Sequence, residues 1–231
     1  MRTHFSNDIT LKQAGKKVRV AGWIRTIREH GNLNFLILSD RTGNIQITAK
    51  KGDVPDTILK QIADIGKEYV VVVEGVVRGS KPAPRGVEII PKKIEVLNAA
   101  KTPLPLDFKT KALLDTRLDA RFLDLRKPGI AAIFFIRDHI LSAGRQFLKS
   151  QGFIEIHTPK IISTASEGGT ELFPISYFER EAFLAQSPQL YKQMMMATGF
   201  DRVYEIATYF RAEEHDTIWH LNENTAFDLE M

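Results

Sequence analysis

Arg211 is the side chain with the clearest chemical use. Its planar guanidinium donates two parallel hydrogen bonds, the geometry that a phosphate or carboxylate accepts. It follows an alternating run, 203–210, and opens a charged stretch with Glu213, Glu214, His215, Asp216 and His220. Gln189 and Lys192 are three residues apart, on one face of a helix that Ser187-Pro188 would start, with Ser as cap and Pro in the first turn. A carboxylate approaching there would meet the positive end of the helix dipole and the Lys192 ammonium. Glu167 is the one charge at the centre of a small-residue loop, 163–170, whose Gly168-Gly169 pair leaves it free to close over a ligand. Cations for an anion and an anion for a cation are thus both on offer. A solvated surface hairpin and a plain connector would use the same residue types.

The elements that must position these groups are short. In the strand after residue 202, a period of two puts Val203, Glu205, Ala207, Tyr209 and Arg211 on one face and Tyr204, Ile206, Thr208 and Phe210 on the other. A second strand alternates Asn224, Ala226, Asp228 and Glu230 against Thr225, Phe227, Leu229 and Met231. Two such strands, with an apolar back and an ionised front, make the floor of a polar site. Their connection, 212–223, exceeds the roughly two to five residues of an economical hairpin, and long loops are often functional. Upstream, 115–126 reads as a short helix and then an extended piece. Pro128 opens a long helix that ends at Gly152, and Ile130, Ile133, Phe134, Ile140, Leu141, Phe147 and Leu148 give it a wide apolar face. That stripe is either core or a surface for a partner subunit. A strand, 153–157, stops at Thr158-Pro159, and Met194, Met195 and Met196 read as packing.

The first half has a different texture. Alternating or apolar runs at 17–24, 34–39, 44–48, 69–77 and 87–97, with a helix over 55–65, give five strands and one helix between the third and fourth. That is the layout of an OB-fold barrel. Such barrels bind single-stranded nucleic acid on strands two and three, with aromatic platforms and basic rims. Phe35 could stack on a base there or simply be core, Gln46 could hydrogen-bond a base through both amide atoms, and Arg25 and Arg28 would flank the loop after the first strand. Residues 98–107 are Pro-punctuated and read as a hinge.

Charge follows the same division. Of 32 Lys and Arg and 28 Asp and Glu, residues 1–107 hold 18 and 11, and 108–231 hold 14 and 17. The basic half is the candidate polyanion binder. The chain has no cysteine, which excludes disulfides and thiol chemistry and fits a cytoplasmic protein. Residues 1–8 lack the apolar core of an export signal, and no run is long enough to enter a membrane.

Several stretches together resemble class II aminoacyl-tRNA synthetases, within them the archaeal-type aspartyl enzymes. Residues 152–159 look like the dimer-forming first class II motif with its proline, and 210–230 like the second motif. Residues 166–173 are similar to the loop that closes over the amino acid, and 186–193 to the aspartate-recognition helix. Gly22-Trp23, Asp40-Arg41 and 121–126 fit the family's barrel and linker. The resemblance implies an α+β chain: an OB-fold anticodon-binding domain over 1–100, a linker over 101–114, and over 115–231 the first part of an antiparallel-sheet catalytic domain. It implies aspartate activation with ATP and transfer to tRNA by a cytoplasmic homodimer. Arg211 would be catalytic, bridging the ATP α-phosphate and the reacting carboxylate. Glu167, Gln189, Leu190, Tyr191 and Lys192 would bind aspartate, with Lys192 on its side chain. Ala212, Glu213, Trp219, His220 and Leu221 would hold ATP, and Arg28, Phe35 and Gln46 would read the anticodon. Pro84 stands where relaxed members, which also charge the asparagine tRNA, carry no lysine. Two departures matter. Trp219-His220 replaces the family's Arg-His, removing a cation. The third motif and the acidic Mg²⁺ ligands are absent from these 231 residues, which read as a fragment of a longer synthetase or a truncated paralogue, so no metal set is expected in this chain, Mg²⁺ would belong to a full-length enzyme, and the 231 residues alone are expected not to form adenylate. A non-catalytic tRNA-binding paralogue and an asparaginyl-type relative are the competing expectations.

Overall fold

The computed structural model describes residues 2–108, 111–165, 172–215 and 217–231. They form two compact units, Met1–Arg117 and Leu118–Met231.

In the first unit, β1 (Lys17–His30), β2 (Leu33–Ser39), β3 (Asn44–Lys50), β4 (Val70–Gly79) and β5 (Val87–Asn98) close into a barrel in the order β1-β2-β3-β5-β4, and α1 (Asp56–Ala63) falls between β3 and β4. This is the expected OB-type layout. Alternation drives it: Val18, Val20 and Ile24 of β1 turn inward with Leu36 and Leu38, Ile45 and Ile47, Val71 and Val73, and Ile89 and Ile94. Ile58 and Ile62 of α1 pack against the same core. Each such side chain contributes roughly 1.5–3 kcal/mol relative to exposure.

β1 does not stop at Ile24. A bulge between Ile24 and Thr26 lets it leave β4, its partner up to Trp23↔Val70, and run on beside β2 to His30↔Leu33. Arg25 and Arg28 therefore lie within the strand and do not flank a loop. The crossing is close enough that a Cβ on Gly22 would come 2.2 Å from the Ser39 carbonyl oxygen, so only glycine fits. Residues 87–97 form one strand, bent at a register shift where Pro91 faces Gly75.

Further along the chain, α2 (Leu114–Asp119) is followed by a second short helix, α3 (Arg121–Asp124), where an extended piece was expected. Its cause is local: Asp124 is fully buried and pairs with Arg121 at 2.9 Å and Lys127 at 3.4 Å, which curls the segment. Pro128 then starts α4 (Pro128–Ser150), and Gly152, at φ 80°, turns the chain out of it.

Then come β6 (Ile154–Glu155), β7 (Ile161–Ile162), β8 (Pro174–Tyr177), β9 (Arg180–Leu184), α5 (Gln189–Ala197), β10 (Val203–Phe210) and β11 (Glu223–Glu230). β10 pairs antiparallel with β11 but parallel with β6, so this sheet is mixed and not purely antiparallel. A separate sheet, β7-β9-β8, contains a hairpin absent from the sequence reading. Its turn uses Phe178 at φ 53° followed by Glu179, without the Gly or Asn that marks such turns.

The sheet's back meets α4 at Gly144, where a Cβ would come 2.4 Å from the Phe227 ring. Of α4, only Leu148 is buried, and Ile133, Phe134, Ile140 and Phe147 face outward. The apolar stripe is therefore not core within this unit.

Candidate functional site

The barrel carries a groove of about 850 Å³. Arg28, Phe35 and Gln46, expected together on one face, and Pro84, expected on a different ground, all line it, together with Arg78 and Glu88. Phe35 is half-buried and turned to the groove instead of the core. Arg28 is exposed at the rim, and Pro84 is exposed on the opposite loop.

Beneath them lies a polar network that sequence reasoning missed. The barrel closes through a two-residue parallel seam, Gln46↔Glu88 and Ile47↔Ile89, which sets Gln46 and Glu88 side by side. Glu88 is 3% exposed and accepts from Thr48 Oγ1 at 2.6 Å, Gln46 Nε2 at 3.0 Å, and Arg78 Nε and Nη2 at 3.0 and 2.8 Å. Burial alone would raise its carboxyl pKa, but these donors outweigh it and hold the group below the ordinary carboxylate range. A lone carboxylate inside the apolar run Val87-Glu88-Ile89-Ile90 was the available signal, since a buried charge needs partners. The loop bearing Pro84 is held by Arg85, which donates to the carbonyls of Ser6 at 2.5 Å, Asn7 at 3.1 Å and Ile9 at 3.3 Å.

In the second unit, the expected two-faced pair of strands is present. Cross-strand partners Glu205↔Asp228 and Val203↔Glu230 lie on the front, and Tyr204↔Leu229 and Ile206↔Phe227 on the back. α5 lies over the front, and Lys192 is only 2% exposed. Its ammonium contacts Asp228, sits 3.4 Å from Glu230 and donates to the Leu229 carbonyl at 3.2 Å. Gln189 Nε2 donates to the same Glu230 carboxylate at 2.9 Å. Sequence placed Asp228 and Glu230 on this face but did not assign them to Lys192. The α5 start differs by one position: Pro188 is the cap residue, while the Ser187 hydroxyl still accepts from the Gln189 N–H at 3.1 Å.

On the same face, Glu205 is 2% exposed and accepts from the Thr158 N–H and hydroxyl at 3.1 and 2.8 Å and from Lys160 Nζ at 2.8 Å. These bonds pin the segment after β6 to β10. On the back, Tyr204 donates to Glu155, which Arg145 also pairs, and the carboxylate is held below its usual range despite its desolvation.

Arg211 directly follows β10, with its guanidinium beside Tyr209 of the front face. Its side chain is exposed, its guanidinium carbon lies 5.4 Å from the Tyr209 ring, and its N–H bonds the Asn222 carbonyl. Ala212 and Glu213 are half-buried beside it, and the Glu213 N–H reaches Asn222 Oδ1 at 3.1 Å. Trp219 is 85% exposed on a turn closed by His220 N–H to the Thr217 carbonyl, with Leu221 also exposed. Leu190 is exposed and Tyr191 half-buried on α5. Met194 is 62% exposed, so it is not the packing residue expected. Glu167 lies outside the described residues. Among the described residues no group of three or more His, Asp or Glu gathers as a metal cluster would require. No helix among the described residues is long and apolar enough to cross a membrane.

Comparison with known proteins follows the same division. Residues 114–231 match the family model for class II tRNA synthetases (D, K and N), and residues 18–97 match that for the OB-fold nucleic acid binding domain. An aspartate–tRNA(Asp) ligase of Pyrococcus horikoshii is 58% identical over 100% of this chain and 53% of its own length. An aspartate–tRNA(Asp/Asn) ligase of Methanothermobacter thermautotrophicus is also 58% identical, over 99% of this chain and 53% of its own. The solved structure of a putative aspartyl-tRNA synthetase from Leishmania major superimposes with a TM-score of 0.90 at 33% identity, covering 100% of this chain and 48% of that one. The chain thus spans about half the length of the relatives it matches.

Proposed function

The chain belongs to the class II tRNA synthetases, and from that premise we propose that the whole protein is an aspartate–tRNA ligase whose first unit binds the tRNA anticodon. The observation that carries the amino-acid assignment is the buried Lys192 ammonium on the ionised front of β10 and β11, on the same face as Arg211. A buried cation penalises a neutral amide in the place of a carboxylate, which favours aspartate over asparagine. Because Asp228 and Glu230 already pair with Lys192, the substrate's side chain shares the ammonium with them, and Gln189 steadies Glu230.

Chemically, an α-carboxylate oxygen of aspartate bonds to the α-phosphorus of ATP while the bond from that phosphorus to the bridging oxygen breaks, releasing pyrophosphate. No protein nucleophile is needed. Position and charge neutralisation supply the catalysis. Arg211 bridges the carboxylate and the α-phosphate as negative charge builds. Glu167 pairs with the aspartate ammonium, Leu190 and Tyr191 complete the amino-acid wall, and Ala212, Glu213, Trp219, His220 and Leu221 hold ATP. The second step moves the aspartyl group to the terminal adenosine of tRNA and releases AMP. In the whole enzyme Mg²⁺ would neutralise charge on the ATP phosphates.

Phe35 stacks on an anticodon base, Gln46 hydrogen-bonds one, and Arg28 meets the backbone. The outward apolar face of α4 and the segment 152–159 form a homodimer contact, in the cytoplasm. Relatives of equal identity are named for the aspartate tRNA alone and for both tRNAs, and Pro84 on the groove's lip favours a relaxed enzyme that charges the aspartate and asparagine tRNAs alike.

The test is aspartate-dependent ATP–pyrophosphate exchange by the whole protein. Arg211→Ala should lower the rate roughly 10²–10³-fold. Exchange that runs on asparagine as well as on aspartate rejects the assignment.

A further inference from the structure

Glu205 is a buried charge on the front of β10 with no part so far in the reaction. We propose that it is a positioning residue: through Thr158 and Lys160 it fixes the spacing between Arg211 and Lys192, the two cations that grip opposite ends of the amino acid. This rests on the reading of the second unit as an aspartate-activating site.

The setting is unusual for a charge. Val203 and Ala207, its neighbours on the front of β10, have zero exposure, and Glu205 has 2%. A carboxylate that deep is stable only with donors. Its donors come from one short segment: the Thr158 N–H and hydroxyl at 3.1 and 2.8 Å, and the Lys160 ammonium at 2.8 Å. Lys160 also donates to Thr158 Oγ1 at 2.8 Å, so the three side chains form a closed triangle. Pro159 lies between the two anchors, and its ring fixes φ there, so the segment has little freedom left. Two backbone bonds carry that fixity to the site. The Ala185 N–H donates to the Lys160 carbonyl at 3.0 Å, and the Ala185 carbonyl accepts from the Phe210 N–H at 2.9 Å. Phe210 directly precedes Arg211, and Ala185 is buried just ahead of Gln189, where α5 begins. Ile161 pairs with Leu184 alongside. One segment therefore holds both the end of β10 that leads into Arg211 and the approach to the helix that carries Lys192. Glu205 stands on β10 itself and closes the circuit.

Charge supports the same role. Glu205 is directly opposite Asp228 on β11, and like charges in that relation repel, so each needs its own cation. Lys160 serves Glu205, and Lys192 contacts Asp228. This division keeps Lys192 from being drawn toward a further carboxylate and leaves it available to the substrate's side chain. The property that such spacing decides is substrate length. Glutamate carries the charges of aspartate on one more methylene, and a fixed distance between the two cations excludes it.

The experiment measures ATP–pyrophosphate exchange by the whole protein on aspartate and on glutamate. The wild type should favour aspartate by roughly 10²-fold in kcat/KM, the scale of one methylene in a fixed site. Glu205→Gln keeps the shape but drops the charge on which Thr158 and Lys160 converge, and the preference should fall about tenfold as the two cations lose their fixed spacing. Lys160→Met should act likewise, and Lys160→Arg should restore most of the preference. Thr158→Val keeps the ion pair and should show the loss in smaller degree, which keeps the test open if Glu205→Gln does not fold. Gly144→Ala strains the same unit from the sheet's back and should leave the preference as it is. A preference unchanged in both Glu205→Gln and Thr158→Val, whatever the shift in melting temperature, overturns the proposal alone, because Glu205 would then serve stability only. An equal fall in Gly144→Ala overturns it too. A wild-type protein that exchanges on neither amino acid, or on glutamate in preference, overturns the reading of the site as well.

Discussion

The two units satisfy their polar and apolar groups in opposite ways. In the barrel, the buried Glu88 carboxylate is surrounded by donors from strands of the same closed ring, and the apolar side chains Val20, Ile24, Leu38 and Ile47 reach zero exposure. In the second unit, three carboxylates, Glu205, Asp228 and Glu230, share one face of an open sheet, and α4 turns Ile133, Phe134, Ile136, Ile140 and Phe147 outward. Closure removes sheet edges and lets one small core serve every strand. The open sheet gathers its carboxylates under α5 and leaves the outer face of α4 free for another surface.

Breaking the second unit's charge balance should have the largest effect. Lys192→Ala leaves Asp228 and Glu230 without their cation and should cost about 3–5 kcal/mol, read by urea unfolding of that unit. A loss below about 1 kcal/mol would mean that water screens the cluster and that the site is less buried than described.

Next in size is a core truncation. Leu38→Ala should destabilise the barrel by about 2–5 kcal/mol. The matched change on α4, Phe134→Ala, should alter unfolding by no more than about 0.5 kcal/mol and instead weaken self-association in sedimentation experiments. Equal costs for the two would erase the distinction between a filled core and an outward face.

Gly144→Ala sharpens the contrast from the other side. The added methyl meets Phe227 and should cost about 1–3 kcal/mol in the second unit only.

Acid should act on both units, and least per group. Asp40 and Glu88 in the barrel and Glu155 in the second unit are held below their ordinary pKa; burial opposes this in each, and hydrogen bonds outweigh it. Their contribution is present above the unfolded carboxylate range and is lost as pH falls through the lower folded values. Tyr204 works at the other end. Burial and its bond to Glu155 raise its pKa, so its contribution holds below the unfolded tyrosine range and is lost as pH rises through the folded value. Glu88→Gln should flatten the acid limb of the barrel's melting curve, and Tyr204→Phe the alkaline limb of the second unit's.

Much of this was legible in the chain. Period-two alternation gave the barrel strands and both faces of β10 and β11, because one buried face imposes that pattern on sequence. Phe35 and Gln46, read from strand pattern as one face, and Pro84, read from the loop before β5, line one groove. What escaped was set by partners distant in sequence. Nothing near Glu88 announces Thr48 or Arg78, and nothing near Lys192 announces Asp228. The β8–β9 hairpin turns on Phe178 rather than on Gly or Asn, so local chemistry gave no warning. The run of β1 past Ile24 depends on a bulge that only the pairing of two neighbours creates.

The account's central claim is that an acidic amino acid is activated on the open sheet and delivered to an RNA read by the closed barrel. Transfer of labelled aspartate to tRNA by the whole protein tests it most directly. It predicts that Phe35→Ala raises KM for tRNA roughly tenfold with kcat kept, through lost stacking, whereas Arg211→Ala lowers kcat with KM for tRNA kept. Asparagine charged in preference to aspartate, or a Phe35→Ala enzyme unchanged in tRNA KM, would contradict it.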